Sequence, residues 1–186
     1  MAANSPTDKV DAVAVELRLD RISRLYNSLD PAPFNEKELE SAADEYIVGS
    51  AEDAGKPIRL VIMLPESELG RPEAEHVPVS IRHHFELRAA SERRQLRAMW
   101  RRGRTTLLIG VAFLALCLFG RSLLLASGST AAHIVAEGLL IVGWVAMWGP
   151  LDVVLYGWWP IRSRIKLFDR LSRLDVEMRP LRLTVR

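Results

Sequence analysis

The chain has 186 residues, enough for one ordinary domain or for a small domain with a membrane segment. Its charge is unevenly divided, since residues 1–79 carry 8 Lys/Arg and 16 Asp/Glu whereas residues 80–186 carry 17 Lys/Arg and 7 Asp/Glu. The single cysteine, Cys117, excludes an intrachain disulfide and a metal site built from several cysteines. The polar, acidic first twenty residues predict no cleaved signal peptide.

The acidic segment, residues 1–79, predicts a small α+β lobe. Its first element is a strand over residues 12–19, where apolar and polar side chains alternate. A helix is predicted over residues 36–53, because Asn35 and Glu38 have the spacing of a capping box. The expected apolar face of this helix comprises Leu39, Ala43, Tyr46 and Ile47.

A second strand and a long basic helix follow. Residues 58–64 (IRLVIML) are almost wholly apolar, which predicts a central strand, and residues 65–75 read as a polar loop. From about Pro78 we expect a helix whose Arg-rich juxtamembrane part covers residues 80–104 and continues into a membrane crossing. One side of it carries Ile81, Phe85, Ala89, Leu96 and Met99.

Two apolar runs predict an α-helical two-span transmembrane hairpin. Residues 105–127 and residues 131–149 each have about the length that covers a ~30 Å hydrocarbon core at ~1.5 Å per residue. The intervening GST, residues 128–130, makes a plausible tight connection. The alternative is a soluble buried helical pair, which would need an enclosing protein shell that fewer than eighty acidic residues cannot supply.

The distribution of positive charge predicts the orientation of this hairpin. Eight arginines lie between residues 82 and 104 and eight Lys/Arg between residues 162 and 186, whereas residues 122–132 contain none. By the positive-inside rule, both termini are cytoplasmic. Amphipathic rings that favour the headgroup layer fall towards the same end, and the expected interface anchors are Trp144, Trp148, Tyr156, Trp158 and Trp159.

The basic clusters on both flanks indicate the partner of this region. An Arg-rich helix can bind nucleic acid, but its position immediately inside a membrane crossing favours a bilayer with anionic headgroups, since each juxtamembrane Lys/Arg adds about 1 kcal/mol of attraction. We therefore predict no nucleic acid partner. The residues expected to contact headgroups are Arg97, Arg101, Arg102, Arg104, Arg162, Arg164 and Lys166.

Pro150 separates the second apolar run from a tryptophan-rich block. The residues after it recur on one helix face, which predicts an interfacial helix over residues 150–160. The alternative is a Pro-kinked crossing that continues to Trp159; the break is favoured because it keeps Asp152 out of the hydrocarbon. The basic cytoplasmic tail, residues 161–186, then predicts a short amphipathic helix and a strand, over residues 165–176 and 181–185. The lobe would thus contain two or three strands and two helices.

Arg121 and Glu137 are the two charges inside the predicted hairpin. Each lies eight residues from Ser129, so an antiparallel arrangement places them at similar depth on the outer side of the membrane. A charge inside a bilayer is costly and usually pairs or faces a cavity. We expect an intramembrane ion pair that fixes the register. Two alternatives remain. In the first, Arg121 snorkels to the outer headgroups while Glu137 is protonated or reaches the same interface alone. In the second, Glu137 lies on a proton or ion path, for instance with His133.

Motifs of catalytic and cofactor sites are absent from the sequence, including a Gly-rich phosphate loop, GxSxG and HExxH. His83 and His84 are adjacent and diverge on a helix, and His76 would share a face with His83 only if the long helix began earlier. Asp44 and Glu45 fit a solvated helix face. We therefore predict no enzymatic activity, no cofactor and no metal.

Two blocks carry a resemblance to a known family. LYNSLDPAPFNEKELESAADEYIVG (residues 25–49) and WVAMWGPLDVVLYGWWPI (residues 144–161) resemble the signature stretches of a family of uncharacterised small bacterial inner-membrane proteins, in which a short cytoplasmic segment precedes a two-helix hairpin. The resemblance implies a bacterial inner-membrane location. It supplies no activity, ligand or catalytic residue.

These observations together predict a non-enzymatic, multi-pass inner-membrane protein. Its cytoplasmic lobe would be an interaction module, either as an accessory or assembly subunit of a membrane complex or as a self-associating scaffold. The alternative from another class is a small oligomeric channel or transporter that uses Glu137.

Overall fold

The computed structural model describes residues 12–33 and 37–181. Within them the strands are β1 Val13–Arg18, β2 Ile58–Leu64 and β3 Asp175–Pro180, and the α-helices are α1 Ser41–Ala54, α2 Glu66–Leu69, α3 Pro72–Leu125, α4 Thr130–Leu155 and α5 Trp158–Leu171, with a 3-10 helix at Ile22–Leu25. The chain divides into two compact units. The described parts of residues 1–90 and 165–186 form the first, which we call the lobe, and residues 91–164 form the second, which we call the helical unit.

The lobe is built on a three-stranded parallel sheet with the order β1-β2-β3. The prediction that the apolar strand is central is confirmed. The third strand lies earlier than predicted, at Asp175–Pro180, where we expected the end of a helix. Of the predicted strand at 181–185, only Leu181 lies inside the described residues, and its N–H donates to the carbonyl of Leu64 at 2.8 Å. Because parallel neighbours need a crossover, α1 and the chain around it connect β1 to β2.

One face of the sheet packs against helices to form the core of the lobe. Leu60 and Ile62 of β2 are fully buried there, together with Ile47 of α1. Phe85 of α3 stacks on Phe168 of α5, with 6.3 Å between ring centroids. The predicted α1 face is buried except for Tyr46, which is exposed and donates its hydroxyl to the carbonyl of Glu16.

Helix α1 begins later than predicted. Residues 37–40 are extended or irregular, because Leu39 forms an isolated antiparallel bridge with Tyr26 and the N–H of Glu40 donates to the carbonyl of Leu25. The predicted capping box therefore does not start this helix at residue 36; its Asn35 lies outside the described residues. The expected end is confirmed, since Gly55 adopts the left-handed conformation, with φ 58, that favours glycine at a helix terminus.

Helix α3 begins earlier than predicted, at Pro72. The first helical position tolerates proline because its N–H would be unsatisfied in any case, so the expected loop at 65–75 contains both α2 and the first turn of α3. Pro78 lies inside the helix. His76 and His83 are therefore both helical, yet no group of three or more His, Cys, Asp or Glu among the described residues could hold a metal ion.

Helix α4 continues through Pro150 to Leu155, and α5 begins at Trp158. The predicted helix break at Pro150 and the separate interfacial helix over 150–160 are therefore wrong. A proline removes one backbone hydrogen bond and needs room for its ring. The Pro150 ring packs beside Gly110 of α3, where an added methyl group would lie 3.3 Å from Pro150 Cγ. Two stretches are long and apolar enough to cross a membrane, one in α3 and one beginning at Thr130.

Candidate membrane segment and interaction surface

Helices α3 and α4 approach each other closely in the helical unit. A methyl group added at Gly143 would lie 2.8 Å from Leu114 Cδ1 and 3.2 Å from Cys117 Cβ. Gly110 makes a similar approach to Met147, at 3.1 Å from its sulfur. Gly110 lies near Met147, whereas Cys117, which comes later in α3, lies near Gly143, which comes earlier in α4, so these stretches of the two helices run in opposite directions. Small residues at such contacts allow the backbones to approach, as is common between helices in membranes.

The contact register brings Arg121 and Glu137 together. Arg121 Nη2 donates to Glu137 Oε1 at 3.1 Å, and the two side chains are 33% and 59% exposed. Both lie within the apolar stretches, where their exposed surfaces would face lipid if these helices cross a membrane. Pairing lowers the cost of placing either charge there. The equal spacing from Ser129 is the sequence signal that predicted this contact.

The expected interface anchors differ in their packing. Trp144, Trp148, Tyr156 and Trp159 are exposed, whereas Trp158 is half-buried. Trp158 stacks with Trp159, with 6.5 Å between ring centroids, and the Arg162 guanidinium lies 5.7 Å from the Trp158 centroid. The side chains expected to contact headgroups are all exposed: Arg97, Arg101, Arg102, Arg104, Arg162, Arg164 and Lys166.

Glu92 is a buried acid that the sequence interpretation did not single out. Its side chain is 11% exposed, and Oε1 lies 3.9 Å from Arg164 Nη1. Within the part of the chain that the structure describes, Oε2 has no hydrogen-bond partner. Within the Arg-rich part of α3, Glu92 offsets part of the positive charge of α5. Its position among several arginines resembles a solvated helix face in sequence, so only the packing shows its burial.

Asp44 lies in a polar cluster instead of on a solvated helix face. His84 Nε2 donates to Asp44 Oδ1 at 3.1 Å, and Arg88 also donates to Asp44. Burial alone would raise the pKa of Asp44, but the hydrogen bonds from His84 and Arg88 and the positive charge of Arg88 outweigh it and hold this pKa below its usual value. Arg88 also lies over the Phe168 ring, 4.7 Å from its centroid. The cluster therefore ties α1 to α3 and α5.

The imidazole in this cluster has a structural role. The Leu39 N–H donates to His84 Nδ1 at 3.4 Å, so this nitrogen accepts while Nε2 carries the proton given to Asp44. A carboxylate that orients a histidine also occurs in hydrolase triads, where the second imidazole nitrogen serves as the base. Here that nitrogen is already occupied by a backbone donor.

The second candidate surface is the side of the sheet opposite the core, which we call the open sheet face. Because successive strand residues point to opposite sides, half of each strand lies here. Its three cross-strand rows are, in order, Ala14–Arg59–Asp175, Glu16–Val61–Glu177 and Arg18–Met63–Arg179. One row thus carries two acids and the next carries two arginines.

The charged side chains of these two rows are accessible. Glu16 and Arg18 are 52% and 72% exposed, and Glu177 and Arg179 are 39% and 54% exposed. Val61, which lies between the acids, is buried. Hydrogen bonds from Arg179 to Glu177, at 3.0 and 3.1 Å, raise the pKa of Arg179 above its usual value. The pattern was not recognised from sequence because the position of β3 was missed.

Compared with models of known protein families, with curated proteins and with solved structures, the chain matches none of them.

Reversing one charge of the membrane pair should weaken the helical unit. We expect Glu137→Arg to destabilise it by about 2 kcal/mol, because two like charges then share an apolar environment. Glu137→Gln should have a smaller effect. The double variant Arg121→Glu with Glu137→Arg should recover at least half of the loss, measured as the aggregation temperature in mild detergent. A double variant no better than either single reversal would refute the pairing.

Lowering the pH should remove the stabilisation that Asp44 gives to the folded lobe. Its pKa is lower in the folded chain than the unfolded value of ~3.9, so its stabilisation is present above that value and is lost as pH falls through the folded pKa. Asp44→Asn should therefore lower lobe stability at pH 7 by about 1–2 kcal/mol, and the difference from the original chain should shrink below pH 4. Protease resistance from pH 7 to 3 measures this. The neighbouring exposed Glu45→Gln is the control, and a difference that is constant with pH would contradict the prediction.

Proposed function

We propose that this protein is a two-span bacterial inner-membrane protein with both termini in the cytoplasm, and that its lobe is a protein interaction module. The observation that carries the proposal is the pair of long apolar helices whose large side chains face outward. Leu108 and Ile134 are each 71% exposed, and Trp148 is 74% exposed. Apolar surface of this extent is typical of a chain that contacts lipid or another protein.

The sheet supports an even number of membrane crossings. Strand β2 precedes both apolar stretches and β3 follows them, yet these strands pair along their full length. The chain must therefore leave and return on the same side of the bilayer. The arginines on both flanks favour the cytoplasmic side, and the family resemblance favours the bacterial inner membrane.

The open sheet face supports an interaction module. Parallel sheets are almost always covered on both faces, whereas the described residues cover only one face of this sheet with the helices that form the core. An exposed face with ordered rows of opposite charge is suited to binding a protein partner. Glu137 is less suited to an ion path, because Arg121 already pairs with its carboxylate.

Labelling of single cysteines tests the orientation. In a chain with Cys117→Ala, we expect Ser127→Cys to react with a membrane-impermeant maleimide in intact spheroplasts, because it lies in the connection between α3 and α4. Glu52→Cys, on exposed lobe surface, should react only in inverted vesicles. The opposite pattern, or reaction of both sites from one side, would refute the proposed topology.

Extraction from the native membrane tests the function. A carboxy-terminally tagged chain, co-expressed with an untagged copy, cross-linked in the native membrane and then purified in mild detergent, should retain a stoichiometric partner. That partner can be a foreign membrane protein, as for an accessory subunit, or the untagged copy, as for a scaffold. Recovery of the tagged chain alone would refute the interaction module. Ion flux in liposomes that disappears with Glu137→Gln would favour the channel instead.

A further inference from the structure

The charges on the open sheet face are complementary to those of a second copy of the same face. In the middle row, Glu16 and Glu177 flank Val61, and in the adjacent row Arg18 and Arg179 flank Met63. Two copies can be stacked face to face about a two-fold axis that lies between these two rows and runs perpendicular to the strands. The row of acids in one copy then lies over the row of arginines in the other. This arrangement places each acid opposite an arginine of the second copy and keeps each strand above its equivalent.

We propose that two copies of this chain pair through their open sheet faces in the membrane. Glu16 of each copy then faces Arg18 of the other copy, and Glu177 faces Arg179. At the centre, the buried Val61 lies in register with Met63 of the other copy, and the charged side chains on both sides of it make the contact. This proposal rests on the proposed function, because it names the occupant of the interaction surface.

Other arrangements of two copies are disfavoured by charge. If the two-fold axis ran along the strands, each row would face itself, with acids opposite acids and arginines opposite arginines. Like charges placed opposite each other across an interface are unfavourable and select against that arrangement. The alternation of rows therefore selects one relative direction of the two sheets, which is the antiparallel one.

The size of the patch predicts a weak, membrane-dependent dimer. Three strands spaced ~4.8 Å apart and rows ~7 Å apart give a few hundred square ångström per copy, well below the ~800 Å² per partner of a standard stable interface. Exposed ion pairs add little each. Confinement of two chains in one bilayer raises their effective concentration, as linkage of two binding modules does, and can make such contacts sufficient.

The test uses two variant copies, called segregated copies, each of which carries charges of only one sign in these two rows. The all-acid copy carries Arg18→Glu and Arg179→Glu, and the all-basic copy carries Glu16→Arg and Glu177→Arg. Full chains with carboxy-terminal donor or acceptor fluorophores are placed in vesicles at low protein-to-lipid ratio, and energy transfer is measured. We expect specific transfer for the original chain, an at least fivefold lower value for either segregated copy alone, and recovery when the two segregated copies are mixed.

The matched control reverses a charge pair elsewhere on the lobe. Asp20 and Arg24 form an exposed pair with side chains 79% and 72% exposed, and Asp20→Arg with Arg24→Glu should leave transfer unchanged. Transfer of the original chain should also fall as NaCl rises, because salt screens exposed pairs. Protease resistance checks that each variant lobe is folded, and recovery on mixing is itself evidence of folding.

Three outcomes would overturn the inference. They are transfer at the random level for the original chain, transfer that persists in both segregated copies, and no recovery on mixing of two folded copies. A foreign partner in the detergent extract combined with any of these outcomes would leave the interaction module in place and remove only the pairing of two copies.

Discussion

The pairing of β2 with β3 is the constraint on which the rest of the structure depends. More than one hundred residues separate these strands in the chain, and both apolar stretches lie between them. The core depends on the same long-range return of the chain, because Phe85, which precedes those stretches, stacks on Phe168, which follows them. The lobe therefore cannot complete its sheet or its core until the chain has passed through the helical unit. Closing so long a loop is entropically costly and slow, and the short connection between α3 and α4 reduces that cost by returning the chain early.

Helix α3 shows how one element serves two environments. Its first part buries a single stripe, with Ile81 and Phe85 inaccessible while Leu87, on the other side of the helix, is exposed. Its last part exposes large apolar side chains around most of its circumference, such as Ile109 and Val111, which lie on nearly opposite sides of the helix. The first pattern is typical of a helix that packs on a sheet in water, and the second of a helix in an apolar solvent. The arginines mark the change from one to the other.

The sequence predicted what depends on neighbouring residues and missed what depends on distant ones. Strands β1 and β2 were found to within a residue or two because their periodicity is local. The contact of Arg121 with Glu137 followed from their equal distances to the connection. In contrast, the start of α1 is set by the bridge of Leu39 with Tyr26, which no local pattern reveals.

The other differences have the same origin. Helix α4 continues through Pro150 although a proline removes one intrahelical hydrogen bond. The ring packs beside Gly110 of another helix, and local rules on proline cannot include that neighbour. Asp44 is drawn into a cluster by side chains forty residues away. For β3, the alternation of Asp175–Pro180 is visible in the sequence, but it is also compatible with the end of the preceding amphipathic helix. The parallel partner, β2, decides between the two.

The open sheet face follows from the same topology. Among the described residues, helices cover only one side of the three-stranded parallel sheet, and a side without helices has to be polar or covered in another way. The sequence makes it polar, and it does so with acids in one row and arginines in the next instead of a random mixture. Any arrangement of these charges would keep this side of the lobe soluble. Rows of opposite sign have an additional property: they discriminate between relative directions of an approaching sheet. For a chain held in a membrane, where encounters are frequent and individual contacts can be weak, such discrimination contributes more to specific pairing than a larger apolar surface, which would also attract unrelated proteins.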